Sequence, residues 1–298
     1  MNHPEFVEHT EAEAVFALLS DDNRIDILRA LWRSDGPMTF SELHDAVDIT
    51  DSGQFNYHLG KLVGRFVKDE ENGYTLTAAG ARINGAIEAG SYTTSGSMEP
   101  IILDSPCPSC SGDRTFEYED ELARVTCDSC DVVAEFSVPP SAFVDCEREE
   151  IPAVAGRYLR GTVRHLEDGF CSQCDGPVER EVCHLSESAM WKDVPEDSED
   201  VARDIHNTPV VEYECLQCGM EPTAGLTFAL VSAPPVISFY HDHGIDVRER
   251  SFWEFATFSE EHEHVRSDDP FRATATFSVD SDELTVVVDR NLTVVDTE

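Results

Sequence analysis

Hydrophobic positions in the first ninety residues recur at helical spacing, punctuated by capping and breaking residues. Thr10-x-x-Glu13 has the form of a capping box, in which each side chain satisfies a free N–H of the first turn, and Ala14, Val15, Leu18 and Leu19 then share a side. Ser20 is placed to cap a second helix carrying Ile25, Leu28, Leu31 and Trp32, and Gly36-Pro37 ends it. Thr39-x-x-Glu42 is a further capping box and opens a short helix with Phe40, Leu43 and Val47 inward. Asp51-x-x-Gln54 starts the next helix, where Phe55, Leu59 and Leu62 fall within about 60° of one another and form a packed face. Tyr57 lies opposite, with Gly53, Gly60, Gly64 and Lys61 on its side, Gln54 and Asn56 on the flanks, and His58 at the edge of the buried face. Phe66 to Asp69 and Tyr74 to Thr77 read as two strands. Asn72-Gly73 stands at the tip, a pair suited to a type I′ turn. Thr77 caps a last helix, 78–89, which either closes this core or pairs two copies. Met1 to His9 is polar and reads as loose, and Gly90 to Pro100 is small and polar and reads as a linker.

Beyond the linker the period changes to two. Thr115 to Tyr118 and Ala123 to Thr126 form a hairpin around Glu119-Asp120-Glu121, and Val132 to Val138 continues as a strand. Helical spacing returns from Cys146 to Glu167, with Ile151, Val154, Tyr158, Leu159 and Val163 on one side. Leu226 to Val231 reads as a strand, and Val236 to His243 as a helix after Pro234-Pro235. Alternation then runs through Ala273, Ala275, Phe277 and Val279, turns at Asp280 to Asp282, and resumes at Leu284, Val286, Val288, Leu292 and Val294, the mark of antiparallel strands with one apolar face. The fold class is α+β. A helical domain with a hairpin spans 1–90, a linker 91–100, a cysteine-bearing hairpin domain 101–140, and an α+β domain 141–298.

Cysteine spacing adds chemistry to that pattern. Eight of ten cysteines fall in four C-x-x-C pairs. Cys107, Cys110, Cys127 and Cys130 enclose one hairpin at zinc-ribbon spacing: each pair offers two thiolates, and the hairpin brings the pairs together as a tetrahedron. A closed four-thiolate site is structural, since no position is left for substrate. Cys171, Cys174, Cys215 and Cys218 form a second quartet, whose pairs are separated by a long insert containing Trp191 and the acidic run 195–204. A shared zinc is expected here too, because each pair alone leaves half a coordination sphere empty. Asp131 follows the second pair where a turn-completing glycine is usual, and Cys146, Cys183 and His184 are left over as buried or isolated groups. His241 and His243 lie two apart, which on a helix points them to different sides and argues against a shared metal, and the same holds for His262 and His264 unless their segment is extended.

Charge sets the conditions. The formal net charge is −39, from 60 acidic and 21 basic residues, of which only Lys61, Lys68 and Lys192 are lysines. Excess carboxylate with scarce lysine keeps a protein hydrated in concentrated salt, where the Debye length falls to ~3 Å and self-repulsion is screened. The expectation is a cytoplasm at very high salt. The acidity is lower in residues 1–90 (net −9) than in 91–298 (net −30). No apolar run near Met1 resembles a signal peptide and no stretch of ~18 apolar residues could span a bilayer, so neither secretion nor membrane insertion is expected.

Helix, turn, helix and hairpin in the order of Thr39 to Gly80 is that of a winged helix-turn-helix. The stretches LLSDDNRIDILRALW (18–32), TFSELHDAVDI (39–49), DSGQFNYHLGKLVGRFV (51–67) and NGYTLTAAG (72–80) resemble the arsenic-repressor (ArsR) type of winged-helix regulator in the form found in halophilic archaea. PCPSC with CDSC, and YHDHGIDVRERSFWEF (240–255), resemble the cysteine-rich half often joined to such domains. The resemblance implies homodimers that bind double-stranded DNA through Gln54, Asn56, Tyr57, His58 and Lys61. Arg65 and Lys68 at the base of the hairpin are placed for phosphates, while Glu70 and Glu71 at its tip oppose deep groove insertion. The family's metal-sensing CVC motif is absent, so metal sensing by this domain is not implied.

The expected function is transcription regulation, with the C-terminal region, held by two zinc sites, receiving a ligand or protein partner. A second class is an interaction module docking the transcription machinery. A third, a redox enzyme using its C-x-x-C pairs, is disfavoured by their grouping into quartets and by the lack of a nucleophile or phosphate-loop motif, and the chain is expected not to be an enzyme.

Overall fold

The computed structural model describes residues 10–90, 92–130, 133–193, 207–255 and 262–298. The segments read above as a loose start and as an acidic insert at 195–204, and Asp131, lie outside the described residues. The chain is mixed α+β with four small antiparallel sheets and divides into two compact units, one holding residues 1–95 with 139–141 and the other 96–138 with 142–298. Among the described residues no helix is long and apolar enough to cross a membrane.

The first unit contains α1 (Ala12–Phe16), α2 (Asp22–Arg33), α3 (Phe40–Asp45), α4 (Ser52–Leu62), the hairpin β1 (Val67–Glu70) and β2 (Gly73–Leu76), and α5 (Ala78–Ala89). Ile27 and Leu28 of α2, Leu43 of α3 and Phe55, Leu59 and Leu62 of α4 form a core closed by Phe66 and Val67. Phe40 meets Phe55 edge-on with ring centroids 4.9 Å apart, which locks α3 against α4. Three caps follow the sequence expectation: Thr39 and Glu42 make the reciprocal capping box, Asp51 accepts from the Gln54 amide, and Thr77 accepts from the Gly80 amide. Two do not. The Thr10 hydroxyl caps nothing and instead accepts a hydrogen bond from Arg65, while α2 is capped by Asp21 rather than Ser20. α5 closes this core rather than standing free: Ile83 packs on it, and fully buried Asn84 donates to the Leu28 carbonyl at 2.8 Å.

The hairpin tip also differs from expectation. Glu70 pairs with Gly73, so Glu71 and Asn72 are the two loop residues and only Gly73 takes a positive φ, 127°. A type I′ turn would need Asn72 in the left-handed region as well. Tertiary contact decides the register. Tyr74 bridges to Met38 through two backbone hydrogen bonds, and a Cβ on Gly73 would meet the Met38 carbonyl oxygen at 2.5 Å. The segment before α3 therefore lies against the hairpin, and glycine is required for that approach.

In the second unit β3 (Ser97–Leu103), β4 (Arg114–Glu119), β5 (Leu122–Cys127) and β6 (Val133–Ser137) form one sheet in sequential order. β3 begins inside the stretch read as a linker, which the sheet therefore shortens at its C-terminal end. The β4–β5 turn at Asp120 and Glu121 has positive φ at both residues, 47° and 69°, as a tight two-residue loop between right-twisted strands requires. Next come α6 (Ile151–Glu167), the sheet β7 (Val178–His184), β8 (Pro209–Cys215) and β9 (Thr223–Gly225), then α7 (Leu226–Leu230) and α8 (Pro234–Asp242). A last meander holds β10 (Glu263–Asp268), β11 (Phe271–Val279), β12 (Asp282–Val288) and β13 (Val294–Thr297).

Leu226–Leu230 is a helix, not the strand that its apolar run indicated. All five of its residues are buried, so the run carries no periodicity to separate the two states. The missing information was tertiary: fully buried Glu263 of β10 accepts a hydrogen bond from the Thr227 amide at 2.6 Å, satisfying a first-turn donor of the helix. The main core joins α6, β8, α7, α8, β11 and β12. A second core under the β3–β6 sheet receives Trp253, whose ring lies 6.2 Å from Phe116 and 6.1 Å from Phe136.

Candidate functional site

The eight cysteines predicted as ligands come together as two clusters, Cys107, Cys110, Cys127 and Cys130, and Cys171, Cys174, Cys215 and Cys218, each with its sulfurs within 4.8 Å of one another. All are free thiols. In the first cluster Sγ–Sγ distances are 3.7 Å (Cys107 to Cys130) and 3.4 Å (Cys110 to Cys127); in the second they are 3.7 Å (Cys171 to Cys218) and 3.5 Å (Cys174 to Cys215). Four thiolates each ~2.3 Å from a central ion have tetrahedral edges of ~3.8 Å. Both clusters therefore already stand near the geometry of a four-sulfur metal site.

The two clusters are built alike. In each, the first pair lies in a turn closed by two backbone hydrogen bonds, Cys107 N–H to Gly112 and Ser111 N–H to Cys107 in one, Cys171 N–H to Gly176 and Asp175 N–H to Cys171 in the other. The residue after the second cysteine of the turn is left-handed in both, Ser111 at φ 62° and Asp175 at φ 56°. A strand follows at the same offset, and its first residue pairs with the first cysteine of the opposite turn: Arg114 with Cys127, Val178 with Cys215. The glycine of each turn leaves room for that opposite turn. A Cβ on Gly112 would meet Ser129 at 2.6 Å, and one on Gly176 would meet Gln217 at 2.5 Å. Sequence reasoning missed these glycines and the shared C-x-x-C-x-G pattern that marks them.

Backbone amides favour the thiolate at Cys215 and Cys127. Burial and the neighbouring thiols raise Cys171, and at Cys174 and Cys110 they outweigh a backbone amide and raise those thiols too. The Cys218 N–H, 3.5 Å from the Cys215 sulfur, is the main influence holding the Cys215 thiol down to about 6. Burial pushes Cys127 up, but the Ser129 and Cys130 amides and the Cys110 thiol outweigh it and leave it at about 7. Cys183 contrasts with both: buried in β7 beside Leu185 and Val210, its thiol is pushed up to about 12 by desolvation. His184 pairs with Asp268 at 3.0 Å, and neither it nor Cys146 joins a cluster among the described residues. His243 reaches Asp282 at 3.1 Å.

Arg114 anchors the first cluster to the rest of its unit. Almost fully buried, it donates to the Ser105 carbonyl at 2.9 and 3.1 Å, to the Ser105 hydroxyl at 2.6 Å, and to the Trp253 carbonyl. Desolvation lowers its pKa from the usual arginine range. The aromatic stretch around Trp253 thus serves as the inner wall of the first cysteine domain.

On the first unit, α4 exposes Gln54, Asn56, Tyr57, Gly60 and Lys61 together, with Tyr57 56% exposed and the Lys61 ammonium 5.3 Å from its ring centre. His58, grouped with them from the sequence, is not on that face: it is 5% exposed and its Nδ1 lies 3.4 Å from Asp21. The turn of the helix that buries Phe55 and Leu59 carries His58 inward too. Arg65 is tied to Thr10, while Lys68 is exposed on β1 beside the exposed Glu70 and Glu71.

Two family models match the chain. Residues 104–294, more than half its length, match "Domain of unknown function (DUF7351)", and the chain belongs to that family. Residues 12–87 match "Domain of unknown function (DUF7347)". The first match takes in both cysteine clusters and lies almost wholly in the second unit; the other falls within the first unit. No curated protein and no solved structure matches the chain.

Proposed function

We propose that the chain is a DNA-binding transcription regulator whose first unit is a winged helix-turn-helix and whose two cysteine clusters each hold a structural zinc ion. One observation carries the DNA reading: α4 is locked by Phe55, Leu59 and Leu62 while its outer face presents two amides, a phenol and an ammonium beside a two-stranded hairpin. That combination suits a major groove, where Gln and Asn amides can bond adenine at two points and Lys can reach phosphate or guanine. α4 is then the groove helix and β1–β2 the wing. The exposed Glu70 and Glu71 keep the wing on the phosphate backbone at most.

The acidity shapes the mechanism. In molar salt, counterion release contributes little affinity, so base contacts and apolar burial carry more of it. The weight falls on Gln54, Asn56 and Tyr57 rather than on Lys61 and Lys68. The protein acts in the cytoplasm as a homodimer, with two half-sites read by two copies of α4. Zinc fits the clusters because four thiolates at tetrahedral spacing select a soft, closed coordination sphere. These residues hold the ion and leave no position for substrate, so its contribution is folding energy rather than catalysis.

The test is binding of promoter and random DNA by the zinc-loaded chain across 0.5 to 3 M KCl, a range chosen on the order of the high-salt regime. Preference for the promoter should persist, and Asn56→Ala and Tyr57→Ala should each weaken binding by ~1–3 kcal/mol while Lys61→Ala costs less. Equal retention of both DNAs at every salt concentration would refute the reading.

A further inference from the structure

We infer that the second unit contains a binding site for a small, neutral, mainly apolar molecule bearing a hydrogen-bond acceptor, in the partly open cavity lined by residues of β6, α6, β8 and β9. The cavity has a volume of about 310 Å³. Its walls are largely aromatic and aliphatic, with Phe136 from β6, Tyr158 and Leu166 from α6, Tyr213 from β8, and Met220 and Phe228 beyond it. An apolar cavity of about 150 Å³ takes one benzene ring, so this one suits a molecule of about two fused rings.

Two buried hydroxyl groups among the lining residues have no hydrogen-bond partner. The Tyr213 side chain is fully buried, and its Oη is unpartnered; the Thr223 Oγ1 is unpartnered as well. A buried hydroxyl without a partner is costly, and of the unpartnered buried side-chain atoms among the described residues these two belong to residues that line this one cavity. A ligand acceptor atom, such as a ketone oxygen, would accept a hydrogen bond from the Tyr213 hydroxyl.

Charge narrows the ligand further. No lysine, arginine or histidine is among the described lining residues, so a carboxylate or phosphate would be desolvated without a counter-charge. The lone lining carboxylate, Glu135, is already held by Arg124 at 2.8 Å, so it does not call for a cation. Met190 and Met220 supply polarisable surface that adjusts to ring shape. Ser172 and Gln173, the two residues between Cys171 and Cys174, also line the cavity, so the site abuts the second cysteine cluster. This inference does not depend on DNA binding, and its test uses no DNA.

The probe is 6-propionyl-2-dimethylaminonaphthalene, a neutral two-ring ketone whose emission shifts to the blue in apolar surroundings, titrated into the full zinc-loaded chain in molar KCl. The expected result is saturable binding of one probe per chain, displaced by 2-acetylnaphthalene but not by 2-naphthoate. Tyr213→Phe should weaken the ketone probe about tenfold and leave naphthalene binding unchanged, as loss of one hydrogen bond predicts. Thr162→Trp, which places a large ring at the wall of the cavity from α6, should abolish binding while metal content and near-UV circular dichroism stay as in the parent. Absence of saturable binding, equal competition by the naphthoate, or full binding by a folded Thr162→Trp variant would each overturn the assignment. If that variant does not fold, Tyr213→Phe decides: equal loss, or no loss, for ketone and naphthalene refutes the site.

Discussion

Gly60→Ala separates the stability of α4 from its use. Gly60 lies inside the helix, exposed, with nothing within 4 Å of where a Cβ would sit. Replacing it removes the conformational freedom that glycine brings to the unfolded chain and should stabilise the first unit by ~1 kcal/mol. For a unit of this size that is a rise in melting temperature of ~4–8 °C, readable by calorimetry on the chain with its metals bound. The same methyl group stands on the face of Tyr57 and Lys61, where the proposed groove contact leaves little room. Affinity for promoter DNA should therefore fall, by about tenfold if the helix must retreat enough to lose one good base contact. A variant that melts higher and binds promoter DNA as tightly as the parent would refute the account of that face. One that melts no higher would refute the account of the helix.

Further outcomes follow from the second unit. Chelation of the metal should unfold it, with two zinc ions released per chain, whereas Cys146→Ser should leave both metal content and melting unchanged; loss of a single ion, measured by a colorimetric chelator, would remove one cluster from the proposal. Gly176→Ala should lower zinc content to one per chain, since the new methyl would sit 2.5 Å from the Gln217 side chain; retention of two would show that the opposed turns tolerate spreading. Burial raises the Glu167 carboxyl to about 7, so the native state binds its proton more tightly than the unfolded chain does, and the associated stability is present below the unfolded value of 4.5 and lost as pH rises through 7. Glu167→Gln should then be nearly neutral at pH 4.5 and stabilising at pH 8 by ~1–3 kcal/mol, discounted for partial solvent exposure; a gain independent of pH in denaturant titrations would contradict this.

Much of the fold was legible because its signals are local. The caps at Thr39, Asp51 and Thr77, the buried stripe of α4 and the alternation of β11 and β12 each lie within a few residues of the structure they specify. The cysteine clusters were legible for a different reason: paired thiols at two-residue separation have few uses other than a shared metal. What escaped depended on distant partners. His58 turns inward because Phe55 and Leu59 orient the helix, and it then lies beside Asp21, the cap residue of α2. Leu226 to Leu230 is helical because Glu263 reaches its first turn from a strand far along the chain. The start of β3 was hidden in a small polar stretch because an edge strand needs a neighbour more than it needs propensity. The cavity could not be foreseen, since its wall joins one face of β6 and one of α6 to residues scattered over several later segments.

The clasp of Arg114 on Ser105 and Trp253 also has a thermodynamic consequence. It ties the first cysteine cluster to Trp253, which packs against Ala155 of α6 in the core under the β3–β6 sheet, and α6 in turn carries Val163 and Leu166 into the main core with β8 and α7. Metal bound at the first site would then stabilise the scaffold that presents the second set of thiolates, and the reverse would hold by linkage. Two sites that share no ligand should nevertheless load cooperatively, so that under zinc limitation the population divides into doubly loaded folded chains and empty unfolded ones, with few molecules carrying a single ion.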